Sequence, residues 1–341
     1  MCFKAAVPRV GSLRRVLSWG LPTVWGTVAI TYKLTCPLAQ QNGLGARVVT
    51  SAVFFAVGTG LIIHVRRALL RELRQAREVA GAAQSVLLRP LPPRIDGLTV
   101  AAAQLSADRG ASIGGDLYEA VATEHGVRVV MGDVRGHGLA AIGTAAAVLG
   151  SFREAVHDEP ELEGVLRRLD RALARHLRER AERDGMDTEE FATVLLLEIG
   201  RDGRLHGLNC GHPWPYLLSG PRVEPLSCAD PLPPLGLFPL PGEVPVLECG
   251  QLLPGETLVL HTDGVEDARD GRGRFFSLPE ALGKAWEAPP QSVLGTVFTA
   301  LLGHTAGTPK DDVALLVLRN DRQPQPAHGA RGARPATTHL T

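Results

Sequence analysis

Residues 127–138 read VRVVMGDVRGHG, an apolar strand that ends on Asp133 and runs into a turn spaced by glycines. A carboxylate at the tip of a buried strand is costly to desolvate unless it is paired or holds a metal ion. Working outward, Glu124-His125-Gly126 reads as a short hairpin turn joining this strand to another at Leu117–Thr123, with a further strand upstream at Gly97–Leu105. Downstream, Leu139–His157 and the heavily charged Leu162–Arg183 read as helices. Strands then return at Ala192–Ile199, Leu205–Asn209, Tyr216–Ser219, Val244–Cys249 and Thr257–Thr262. Helices near Leu278–Trp286 and Ser292–Gly303 precede a last apolar strand, Val313–Leu318. Runs of strands separated by pairs of helices predict an α+β layered sandwich, not alternating βαβ units.

Three other places repeat the acid-at-a-strand-tip theme. Asp116 opens a strand within IGGDLY, Asp263 ends LVLHTD and precedes Gly264, and Asp311 with Asp312 opens DDVALLVL. A single Asp-Gly at a strand end is an ordinary turn. Four such places, three with an adjacent glycine, point to a cluster at one edge of a sandwich. An all-oxygen cluster selects hard divalent cations such as Mg²⁺ or Mn²⁺. The histidines lack ligand-like spacing and do not compete.

Composition narrows the function classes. The formal net charge is zero, so no polyanion-binding surface is indicated and nucleic acid is not an expected partner. The five cysteines are scattered without a CxxC pair, which argues against a zinc site or disulfide framework and for buried or idle thiols.

The first 67 residues read as a membrane anchor. Spans 16–32 and 48–65 carry no charge, and each is close to the ~20 apolar residues that cross a bilayer. Lys4, Arg9, Arg14 and Arg15 precede the first span; Arg66, Arg67, Arg71 and Arg74 follow the second. Only Lys33 and Arg47 lie between, so the positive-inside rule places both ends in the cytoplasm and the domain that follows on the cytoplasmic side of the cell membrane. The first span also reads as a signal peptide, and either span as a buried core helix. Residues 68–91 read as a helical linker. Leu69, Leu73, Ala76, Ala80, Ala83 and Leu87 form a heptad-like seam, suited to intramolecular packing or to a homodimer through 69–87, before Pro90, Pro92 and Pro93 end the helix. The tail, 320–341, is rich in Pro, Gly, Ala, Arg and Thr and reads as disordered.

In order along the chain, IGGDLY, MGDVRGHGLAA, FATVLLLEI, NCGHPWPYLL, LLPGETLVLHTDGVEDARD and DDVALLVL together resemble the bacterial metal-dependent (PPM, type 2C) serine/threonine protein phosphatases, in the stage II sporulation branch. The resemblance covers residues 92–319 and implies a four-layer α/β/β/α sandwich. It implies two divalent cations, Mn²⁺ or Mg²⁺, bridged by Asp133, with the Val134 carbonyl and Asp116 at the second ion. Asp263 and Asp311 would hold the first, Asp312 being the less favoured of that pair. A cytoplasmic phosphoprotein is the implied substrate, an anti-sigma-factor antagonist by analogy. The chain departs from the pattern at Tyr118-Glu119, where many relatives carry a second aspartate, and at Arg135, where the eukaryotic enzymes carry a histidine. Arg135 suits a phosphate contact instead; His137 reads as a turn residue, and His212 has either a turn or a catalytic reading. Two other functions compete: a membrane-tethered, catalytically weak scaffold of the same fold, and a hydrolase of small phosphoesters.

Overall fold

The computed structural model describes residues 25–28, 31–32, 44–105, 115–136, 138–184, 190–226, 229–307 and 309–322. The chain divides into two compact units, Met1–Ala76 and Arg77–Thr341.

In the first unit, residues 25–28 and 31–32 are helical. The rest of the expected span 16–32 lies outside the described residues. Phe54 faces Trp25 and Tyr32 with ring centroids 5.5 and 5.4 Å apart. A single helix, α1 (Leu44–Leu87), replaces the expected separate span and linker. Within it Ser51–Glu72 is long and apolar enough to cross a membrane, and all of its residues but Gly58 are partly or fully exposed. The helix continues past Arg66 because nothing there removes a backbone donor, and it stops at Leu87, within the linker expected over 68–91 and ahead of its prolines. The residue before a proline is pushed out of helical geometry, so the end falls ahead of Pro90. Leu69 of the expected seam is 43% exposed. The side chains of its later members lie outside the described residues.

The second unit contains β1 (Arg94–Ile95), β2 (Leu98–Leu105), β3 (Leu117–Thr123), β4 (Gly126–Val134), α2 (Leu139–Asp158), α3 (Leu162–Asp184) and β5 (Ala192–Ile199). It continues through β6 (Arg204–Cys210), β7 (Tyr216–Ser219), β8 (Arg222–Pro225), β9 (Leu247–Gln251), β10 (Thr257–His261), α4 (Asp263–Glu266), α5 (Leu278–Gly283), α6 (Pro290–His304) and β11 (Val313–Asn320). Two sheets result, in the orders β1-β2-β11-β10-β7-β8 and β3-β4-β5-β6-β9.

Residue alternation along the strands explains the layering. On β4, Val127, Val129 and Met131 enter the core between the sheets, while Val130 and Val134 join α2 and α3 on the other face. On β11, Ala314, Leu316 and Leu318 face the partner sheet, and Val313, Leu315 and Val317 face α5 and α6. Side chains of a strand point to opposite faces with a period of two, so uninterrupted apolar runs mean strands buried on both sides. On α2, Ala141, Ala145, Val148, Phe152 and Ala155 recur at helical spacing and meet Leu162, Val165, Leu166, Leu169 and Leu173 of α3. The architecture is therefore α/β/β/α, as expected.

One polar group in this core is built in. Arg128, fully buried on β4, pairs with Glu198 at 2.7 Å and donates to the carbonyls of Val156, Glu159 and Pro160. A cation on the free carbonyls at a helix C-terminus is favourable, and here it ties the end of α2 to the sheet.

Several element ends shift by a few residues from the sequence reading. β9 starts at Leu247, not Val244, because Pro245 has no donor for a ladder; Val244 is still buried against the α2–α3 side. The short β8 hairpin partner of β7 was not expected, its residues being mostly exposed. The last strand runs to Asn320, so the domain extends beyond residue 319. Arg322 still donates to the Asp96 carbonyl and the tail starts later than 320. Cys210 is a buried free thiol, pushed up to about 12 by burial first and by Asp170. Cys249 is in a disulfide, contrary to the idle-thiol reading.

Candidate metal centre between the two sheets

One side of the site is built by β3 and β4. Leu117 pairs with Gly132, and the next step of that register sets Asp116 opposite Asp133. The Gly115 carbonyl accepts the Val134 N–H at 3.2 Å. A Cβ at Gly115 would lie 2.1 Å from the Val134 oxygen, so only glycine allows this approach. Behind the pair, the Asp133 N–H donates to the Thr193 hydroxyl at 3.2 Å, and that oxygen lies 3.0 Å from His212 Nδ1. Both backbone polar groups of His212 are bound by the Asn209 side chain, at 2.8 Å each. Burial, then the neighbouring His261, lowers the His212 pKa to about 3. His212 sits just after β6 in a turn closed by the Asn209 side chain, in line with the turn reading, and burial keeps it neutral beneath Asp133.

The other side comes from β10 and β11. His261 pairs with Leu315, and beyond it the Thr262 N–H donates to the Ala314 carbonyl at 3.1 Å. Asp263 begins α4, and Asp311 with Asp312 stands just ahead of β11. Asp311 accepts the Asp312 N–H at 2.8 Å. The two sheets meet where the Thr262 hydroxyl donates to Asp116 Oδ2 at 3.1 Å.

All five expected acids converge here. Asp116 is buried, Asp133 half-buried, and Asp263 and Asp311 open to solvent, so the cluster runs from the interior to an accessible mouth. Asp116 is held well above the usual carboxylate range by burial first, then by Asp133 and Asp312, with Thr262 opposing and Asp263 adding. Asp133 is raised to about 7 by burial, then by Asp263, Asp311 and Asp312. Asp263 is raised by the protein packed around it, then by Asp311 and Asp267. Asp267 was missed in the sequence; its signal was the spacing of four from Asp263 in DGVED. Crowded carboxylates in low dielectric resist ionising together, and cations relieve them. Among the described residues, no three acidic, histidine or cysteine side chains already close on one point as an ion cage. The donor set nonetheless fits hard divalent cations: it is all oxygen, and Asp116, Asp133 and Asp263 are raised mainly by burial and by one another's and the neighbouring carboxylates' charge.

Arg135 is exposed immediately after this centre, with its guanidinium 5.2 Å from the Phe191 ring centroid and its backbone N–H donating to the Phe191 carbonyl at 2.9 Å. The ring holds it by a cation–π contact. His137 lies outside the described residues. A second polar group adjoins the site that sequence reading did not find. Tyr216 donates to Glu266 at 2.8 Å and stacks on His261, which burial keeps neutral.

A two-sheet sandwich covered by helix pairs, with acids from both sheets meeting at one end, defines the PPM, or type 2C, class of protein phosphatases. Within that class the chain belongs to the stage II sporulation protein E (SpoIIE) family, whose sequence model matches residues 123–321, well over half its length. That match includes Asp133, Asp263, Asp311 and Asp312. Among solved structures, the RsbU and RsbW domains of a Mycobacterium tuberculosis protein superpose with a TM-score of 0.52 at 24% identity, over 67% of this chain and 61% of that one. The SiaA-PP2C domain of Pseudomonas aeruginosa gives 0.56 at 19% identity, over 75% and 98%. The PP2C phosphatase domain of SpoIIE from Bacillus subtilis, with a fragment of its regulatory domain, gives 0.50 at 16%, over 65% and 63%. The chain thus spans less than two thirds of the first and third of these structures, and at these identities the likeness is one of fold.

Proposed function

We propose that the protein hydrolyses phosphoserine or phosphothreonine on a regulatory protein, using two divalent cations, Mn²⁺ or Mg²⁺, held by Asp116, Asp133, Asp263 and Asp311, with Asp312 beside them. The observation that carries this reading is the convergence of five carboxylates from two sheets, three of them raised by burial and mutual repulsion. When bound there, cations would supply an acidified water and charge neutralisation for phosphate oxygens. The chain's own work is to hold the acids at fixed separation. Asp133 lies near the acids of both sheets and, with the Val134 carbonyl, would help to hold the cations. Arg135, anchored over Phe191, supplies a fixed cation for a phosphate oxygen. No cysteine or phosphorylated residue is required.

An anti-sigma-factor antagonist is the substrate class we favour. The support is family kinship and the pairing of RsbU with RsbW domains in one of the similar structures. We place the phosphatase unit in the cytoplasm, anchored by α1 and a preceding span. The charge pattern around the spans supports this, whereas the disulfide at Cys249 favours an oxidising compartment. Reporter fusions after Arg67 and at the C-terminus decide: both active on the cytoplasmic side supports our placement, and a periplasmic signal reverses it.

The test of activity uses the full chain with Mn²⁺ on a phosphoserine protein and on an aryl phosphate. Mn²⁺-dependent turnover lost in Asp133→Asn supports the reading. Correctly folded protein with no turnover points to the scaffold, and strong preference for the small ester points to a phosphoester hydrolase.

A further inference from the structure

Thr262 occupies the N-cap position of α4, where a threonine hydroxyl ordinarily accepts a backbone N–H of its own helix. Here it makes no such bond. The residue is fully buried, and its hydroxyl is committed elsewhere. It accepts the Ala314 N–H of β11 at 2.9 Å. An amide can only donate, so the hydroxyl's own proton is directed outward, and Asp116 Oδ2 receives it at 3.1 Å. One oxygen therefore joins the end of β11 in one sheet to a buried acid of the other.

We propose that Thr262 is a positioning residue for the metal centre, holding the Asp116 carboxylate in one orientation relative to the acids of the opposite sheet. The proposal rests on the metal reading above. Three observations carry it together. The hydroxyl gives up the cap of its own helix; both of its partners belong to segments that build the centre; and Asp116 is only 4% exposed, so water does not compete for the bond. Thr193 is the parallel case on the other sheet, but it reaches the backbone of Asp133 and not its carboxylate, so its leverage is less direct. Groups that hydrogen-bond a ligating carboxylate commonly set metal affinity by about 10–100-fold.

The experiment is Mn²⁺ titration of the full-length protein by calorimetry, with turnover measured at saturating Mn²⁺. Thr262→Val keeps the shape and removes the hydroxyl, and should weaken Mn²⁺ binding by about 10–100-fold while leaving kcat at saturation within a few-fold. Thr262→Ser keeps the hydroxyl and should bind within about threefold of wild type. In an Asp116→Asn background, Thr262→Val should shift affinity by less than about twofold, because its route to the ion is gone. If Thr262→Val does not fold, Thr262→Ala takes its place in the same comparison. Unchanged Mn²⁺ affinity in the variant without the hydroxyl overturns the proposal. So does equal weakening by serine and valine, or a fall in kcat without a shift in affinity. Wild-type protein that binds no Mn²⁺ retires the metal reading itself, an outcome distinct from all of these.

Discussion

A methyl group on the α-carbon of Gly264 would lie 1.9 Å from the carbonyl oxygen of Asp312. The first turn of α4 is thus pressed against the backbone that opens β11, and this contact brings Asp263 up to the Asp311-Asp312 pair. Gly115 does the same for the other sheet, against Val134. Alanine at either position should cost about 1–3 kcal/mol in urea unfolding and abolish Mn²⁺ binding. Gly150 on α2 has open space around its α-carbon, so Gly150→Ala should leave binding intact and stabilise by roughly 0.5–1 kcal/mol.

Burial, then the charges of Asp263, Asp311 and Asp312, push Asp133 up from its ordinary 3.8 to about 7 in the folded chain. The folded state therefore holds more protons than the unfolded state between those values. Its contribution is favourable below about 3.8 and is lost as pH rises through about 7. Without metal, Asp133→Asn should melt above wild type, by a margin that grows from pH 5 to pH 8. Scanning calorimetry across that range measures it. Excess Mn²⁺ should invert the order, because only the wild type gains the ion.

Arg128 should be costly to remove. It is fully buried, paired with Glu198, and bound to three carbonyls at the end of α2. Breaking a buried pair by deleting one partner typically costs about 3–5 kcal/mol. Arg128→Met should lose that much in chemical denaturation, and the α2 amides near Val156 should lose hydrogen-exchange protection first.

Asp311 raises both Asp133 and Asp263, whereas Asp312 raises Asp116 and Asp133. Asp311→Asn should weaken Mn²⁺ binding more than Asp312→Asn, as read by calorimetry. The reverse order would move the ligand assignment to Asp312.

Much of this was legible in the chain. The sequence reading of Leu117–Thr123, Ala192–Ile199 and Tyr216–Ser219 matches their observed ends: Ala192–Ile199, buried on both faces, shows as an apolar run, and Tyr216–Ser219 is bounded by Pro215 and Gly220. The five acids were legible because an aspartate at the tip of such a run is anomalous. What escaped was whatever depends on three-dimensional neighbours. β8 has too little burial to leave a pattern, and α4 is a single turn. Thr262 and Thr193 look like ordinary strand-end threonines until their partners from other strands appear. The continuity of α1 was hidden by a change of composition at Arg66 that a helix tolerates.

The acids of the centre are drawn from segments nearly 200 residues apart, two before α2 and three after β10. Neither sheet alone gathers them, so an ion has nothing to grip until the sheets have docked. Metal should therefore act late on the folding route: it slows unfolding and leaves the folding rate nearly untouched. For a cell, such a protein would be assembled at the same pace in metal-poor and metal-rich conditions, and would differ only in how long it lasts.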